Sequence, residues 1–163
     1  MSLAEVEIII GQNLPNDFKE YITNNGNGIL EPSCSFPMKE FTPFGNKAMV
    51  DSIFLPDIET LKEDDFFELG MICVGSNVFG NGIYLSFRQS DYGSVYYWDH
   101  EYRCLWDDGT FYSMFPNLAE EIVNYLELRR KGETPVKETD FESFYLAAKS
   151  FSEFINALEP EDY

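Results

Sequence analysis

The only histidine of the chain, His100, sits between two carboxylates in the run Asp99-His100-Glu101. An imidazole flanked by acids is where general acid–base chemistry or a metal site would first be sought. Strand geometry argues against both. If the segment continues the strand that starts at Val95, Asp99 and Glu101 point to one face and His100 to the other, so the three cannot converge on one ion. A structural or partner-facing histidine is expected, and no cofactor or metal is implied.

The remaining signals for chemistry are weaker still. Gly75, Gly80 and Gly82 lack the Gly-Lys-Ser/Thr of a phosphate loop and do not fit G-x-G-x-x-G. A hairpin turn on Asn81 and Gly82, of the type that needs positive φ at both central positions, reads better. Asp107-Asp108-Gly109 opens like a calcium loop, but the alternating oxygen ligands and the glutamate at the twelfth position are missing, so a turn is expected there. No cysteine or serine stands in a recognisable nucleophile setting. Carboxylate-only catalysis is left as a distant alternative to binding.

Two groups of residues suit a protein interface. Glu63-Asp64-Asp65 is an acidic knot just before Phe66 and Phe67, readable as a solvated face or as a contact. The second group is the run Tyr96, Tyr97, Trp98, Tyr102 and Trp106, interleaved with Asp99, Glu101, Asp107 and Asp108. Half of these rings should face the core; the others form either an exposed amphipathic patch or plain cover for the sheet. Because Tyr and Trp are typical interface anchors, the candidate partner-binding residues are Asp99, Glu101, Tyr102, Trp106, Asp107 and Asp108, with Glu63, Asp64 and Asp65 as a second group.

Charge sets the kind of partner. The 163 residues carry 29 Asp and Glu against 11 Lys and Arg, a formal net charge of −18. Such a chain is repelled by nucleic-acid phosphates and anionic membranes, which disfavours direct binding to either. The charge serves solubility or a docking face, and charge alone does not choose between them. Three cysteines without C-x-x-C spacing point to neither a disulfide framework nor a zinc site, and Met1 to Gly11 has neither a cationic region nor a long apolar run. A cytoplasmic protein is expected.

The elements that would position these residues are legible in the hydrophobic pattern. Leu3, Val6 and Ile10, then Leu14, Phe18, Tyr21 and Ile22, predict two short helices, the second ending at Asn24-Asn25-Gly26-Asn27-Gly28. Between Ile29 and Lys62 the prolines 32, 37, 43 and 56 predict short strands and loops. Met71 to Gly75, Ile83 to Phe87 and Ser94 to Trp98, joined by short turns, predict an antiparallel meander, since parallel neighbours need long crossovers. A helix is expected from about Asn117 to Lys131, followed by a linker candidate at Gly132 to Glu138. A closing helix is marked by a Ser150/Glu153 capping box and a face of Phe151, Phe154, Ile155 and Leu158. The fold class is α+β: one domain over residues 1–163, mainly an antiparallel sheet covered by helices at both chain ends.

Three segments carry a resemblance. They are Leu14-Pro15-Asn16-Asp17-Phe18-Lys19-Glu20-Tyr21-Ile22 with Asn25-Gly26-Asn27-Gly28; Gly80 to Phe87 with Gly93 to Glu101; and Ala147 to Leu158. Their order resembles the SUKH superfamily, which includes bacterial immunity proteins against polymorphic toxins and fungal regulators of cell-wall synthesis. Two departures stand out: Asn27 replaces a second glycine, and an added helical segment spans about 104–138. The resemblance implies a helix-covered sheet that binds a protein without catalysis. The expected partner is a basic toxin domain such as a nuclease, whose phosphate-binding site would complement an acidic surface. The alternative is an intracellular regulatory adaptor.

Overall fold

A computed structural model describes residues 2–42, 45–100 and 144–161. The two N-terminal helices form where the apolar spacing places them. Helix α1 (Leu3–Ile10) opens with a capping box, Ser2 Oγ accepting from the Glu5 N–H while the Glu5 carboxylate accepts from the Ser2 N–H. Helix α2 (Asn16–Asn25) follows Pro15 and stops at Gly26, whose φ of 67° lies in the region that favours glycine.

The proline-rich stretch departs from expectation. Strand β1 (Gly28–Thr42) runs for 15 residues and pairs antiparallel with β2 (Gly45–Ile53). It tolerates its prolines because the ladder is interrupted around them. Pro32 falls inside a register shift between Ile29 and Cys34, and a second shift follows Pro37. Helix α3 (Ile58–Glu63) then begins, its N-cap made by the Asp57 carboxylate accepting from the Thr60 N–H at 2.8 Å.

Past a 3₁₀ turn (Phe67–Leu69), β3 (Met71–Ser76), β4 (Gly82–Ser86) and β5 (Val95–Trp98) form the expected antiparallel meander, extended by β6 (Phe144–Ala148). The turn between β3 and β4 is not the two-residue Asn81-Gly82 type. Gly82 already belongs to β4, Asn81 has no positive φ, and the left-handed residue is Gly80, in a five-residue loop closed by the Asn77 N–H donating to the Asn81 carbonyl. The asparagine signal was right about a reversal and wrong about its length.

Helix α4 (Phe151–Asn156) leads into β7 (Glu159–Pro160), which pairs with Cys34 and Ser35 of β1. Ser150 caps α4 through the Glu153 N–H, but Glu153 forms an ion pair with Lys39 at 2.8 Å. Among the described residues, seven strands form one antiparallel sheet in the order β6-β5-β4-β3-β2-β1-β7, giving an α+β fold. The sheet curls so that β1 meets β6, where the Glu40 carboxylate accepts from the Leu146 N–H at 2.8 Å.

Strand alternation splits the interior into two clusters. Ile83, Leu85, Val95, Tyr97, Tyr145 and Ala147 point inward to a core completed by Val6, Phe18, Leu61, Phe151 and Phe154. Tyr84, Tyr96, Phe144 and Leu146 point to the opposite face, where they meet Met71, Phe66 and Trp98. Phe151 and Phe154 are buried as the closing-helix pattern requires, whereas Ile155 and Leu158 only flank the core. Among the described residues no helix is long and apolar enough to cross a membrane. The helix expected at 117–131, the linker at 132–138 and the added segment at 104–138 lie outside the described residues.

Candidate protein-binding surface

The acidic knot is built on the outer cluster. Phe66 inserts its ring among Tyr84, Trp98 and Phe144, all edge-on, with centroids 5.6, 5.5 and 4.8 Å away. Two residues earlier, Asp64 accepts from the Phe66 N–H at 2.8 Å and, with its other oxygen, from the Tyr84 hydroxyl at 2.9 Å. Leu61, on α3, is buried in the inner core. The segment is therefore pinned into both clusters, and Glu59, Glu63, Asp65 and Glu68 are exposed on it, with Lys62 the one exposed cation among them and Ile58 and Leu69 exposed at its flanks. Asp64, put forward as a contact residue, is half-buried and also holds the ridge in shape.

Burial, with Cys73 and Asp64 nearby, pushes the Tyr84 phenol well above its ordinary range, so the hydroxyl stays a donor to Asp64 at any physiological pH. The neighbouring Cys73 thiol is pushed up to about 11, chiefly by burial. A thiol so protonated is no nucleophile near neutral pH.

Strand β5 ends at Trp98, and the two residues after it differ in exposure. Asp99 is buried, 4% exposed, while His100 is exposed. Asp99 is thus not the surface acid it was expected to be, because its position past the end of β5 buries it. His100 has a structural tie, its Nδ1 lying 2.7 Å from Asn81 Oδ1, which also accepts the His100 backbone N–H at 3.1 Å. Among the described residues no three His, Cys, Asp or Glu side chains are grouped to hold a metal ion. Tyr96 and Tyr97 are both buried and Trp98 is half-buried, so this half of the aromatic run covers the sheet rather than forming a patch. Glu101, Tyr102, Trp106, Asp107 and Asp108 lie outside the described residues.

One charged site escaped the sequence reading. Asp91, in the β4–β5 turn, accepts from the Ser86 hydroxyl, from Arg88 Nε at 3.1 Å and from the Tyr96 hydroxyl at 2.6 Å. Burial alone would raise its carboxyl, but the bonds from Arg88, Ser86 and Tyr96 outweigh it and hold the group below the ordinary range. With its carboxylate engaged by donors from three residues, this group is a staple for the turn. Arg88 is occupied in the same way, and Lys19 and Lys39 are paired with Glu7 and Glu153. Pairing these cations internally leaves the acids of the ridge uncompensated by them.

A curled antiparallel sheet, flanked by helices, carries an exposed acidic ridge and, among its described residues, no metal-ligating cluster. Comparison with protein families matches residues 2–122 to the SMI1 / KNR4 family (SUKH-1), and the chain belongs to that family. A search of the curated proteins finds no match, and neither does a search of the solved structures. The Asn27 departure has a local role here: its side-chain oxygen accepts from the Leu55 N–H at 2.8 Å, tying the α2–β1 turn to the end of β2.

Proposed function

We propose that the protein is a non-catalytic, cytoplasmic binding domain that neutralises a basic toxin, of the nuclease type, by covering its active site. The observation that carries this reading is the ridge of Glu59, Glu63, Asp65 and Glu68, exposed together on a segment anchored by Phe66 and Asp64. A fixed group of carboxylates is opposite in sign to a phosphate-binding surface and so complements it, and rigid placement spares the ordering cost that mobile acids would incur on binding. Family membership supports protein binding in general. It is equally compatible with the alternative, a regulatory adaptor of cell-wall synthesis, which has no need of a basic partner.

Co-expression with the toxin domain encoded beside the gene separates the two. Neutralisation predicts that cells survive and that the two proteins co-purify in a fixed ratio. Cell death despite equal expression, with no co-purification, would favour the adaptor.

A further inference from the structure

The loop between β3 and β4 presents apolar side chains where a hairpin tip is normally polar. Val78 is 75% exposed and Phe79 63%. Nothing loose holds them there. Asn77 accepts with Oδ1 from the N–H groups of Phe79 and Asn81 at 3.0 and 3.1 Å, and its Nδ2 donates to the Met49 carbonyl at 3.2 Å. The Asn81 side chain donates to the Tyr97 hydroxyl at 2.7 Å, and the Val78 N–H donates to Asp51 at 2.6 Å, a carboxylate that also receives the Ser33 hydroxyl. Gly80, with φ of 84°, completes a reversal that an L side chain rarely adopts.

A third apolar residue lies at the same end of the sheet. Ile29, 76% exposed, pairs with Ser52, which pairs with Ser76, the residue before Asn77; the two serine hydroxyls lie 2.9 Å apart, on one face. Directly opposed residues of paired strands share a face, so Ile29 belongs to the row that ends beside the tip. Along residues 26–35, 48–57 and 76–81 the formal charges have one sign. Glu31 is exposed and Asp51 half-buried, and these stretches contain no lysine or arginine.

We propose that Val78 and Phe79, with Ile29 beside them, form a preorganised apolar anchor that enters an apolar, basic-rimmed pocket on the protein partner. The proposal rests on the toxin-binding reading and deepens it. A second copy of this chain is a poor occupant, since it would bring the same acids against themselves within a chain of net charge −18. A fixed apolar pair at the centre of an interface acts mainly on how long the complex lasts, whereas outlying charges act on how fast it forms.

The test uses the full chain and the toxin domain encoded beside its gene, inactivated so that it can be purified. With Val78→Ser and Phe79→Ser combined, the dissociation rate constant should rise about 30-fold, with an association rate constant within about twofold of wild type. The thermal midpoint should hold, because both side chains are exposed; if it does not, Phe79→Ser alone is measured in the same way. Equal dissociation rates for wild type and variant would overturn the anchor and leave the toxin-binding reading standing. So would a wild-type dimer that the variant abolishes while toxin binding is unchanged, since the patch would then join two copies. A wild-type protein that binds no such toxin overturns both.

Discussion

The two faces of strands β3 to β6 are covered in different ways. The inner face is filled by branched aliphatics and by phenylalanines from α2 and α4: Phe18 meets Phe151 edge-on at 5.0 Å, and Phe36 meets Phe154 at the same distance. The outer face is an aromatic cluster on Tyr84, Tyr96 and Phe144, onto which the described chain sets one ring, Phe66. The inner face is where the fold draws its stability, because several elements lose apolar surface to water there together. On the outer face the described chain sets a short segment whose exposed positions include Glu59, Glu63, Asp65 and Glu68, with Lys62 among them. Among the described residues, Phe66 both packs onto the second cluster and fixes the position of the charge that a partner would meet.

The sharpest way to break this contrast is to truncate one ring on each face. Phe154→Ala should cost about 3–5 kcal/mol, the range for removing a fully buried aromatic. Phe66→Ala should cost less, about 2 kcal/mol, because its site is only half-buried and open to collapse. Denaturant unfolding of both variants checks this; equal losses would mean that the outer face is packed as firmly as the inner one. Tyr84→Phe is a smaller perturbation of the same region. It leaves the ring and removes only the hydroxyl that holds Asp64, so it should cost about 1 kcal/mol.

Acid titration sharpens the comparison from another side. Asp91 has a folded-state carboxyl held below its ordinary value of 3.8, so it binds protons less readily folded than unfolded. Its contribution to stability is complete above that ordinary value and disappears as the pH falls through the lowered one. Asp91→Asn should therefore lower the thermal midpoint at neutral pH and shrink the difference from wild type in strong acid. A gap that stays constant from neutral pH down through that range would show that the staple is not electrostatic. The smallest effect on stability belongs to the ridge itself: Glu63→Lys with Asp65→Lys should change unfolding by less than about 0.5 kcal/mol, as exposed charges do.

Much of this architecture was legible from pattern alone, for a physical reason. The α1, α2 and α4 faces and the β3–β5 meander repeat apolar residues at 3.6 or 2, and their burial follows that period: Val6, Phe18, Ile83, Leu85 and Phe151 all lie in the core. β1 was hidden because local rules treat each proline separately, whereas a register shift at Pro32 lets a long strand pass through it. The loop at residues 77–81 was mistaken for a two-residue turn because Asn77, four residues before Asn81, supplies the bonds that shape it. The site was less legible. Charge density marked Glu63 to Asp65, but only tertiary contact shows that Asp64 is tied to Tyr84 and that Asp99 is buried. A three-residue acidic run carries no record of which member faces a partner.

The central claim is that the exposed carboxylates steer this protein onto a basic partner, and the association rate is where steering is felt. Binding of the proposed basic toxin partner should be followed by stopped flow as salt rises from about 0.01 to 0.15 M, over which the Debye length falls from about 30 to about 8 Å. The account predicts an association rate constant well above the unsteered range of about 10⁵–10⁶ M⁻¹s⁻¹ at low salt, dropping steeply across the interval while dissociation changes little. It also predicts that Glu63→Lys with Asp65→Lys slows association and flattens that dependence. Association that is indifferent to salt and unchanged by the reversal would contradict the account.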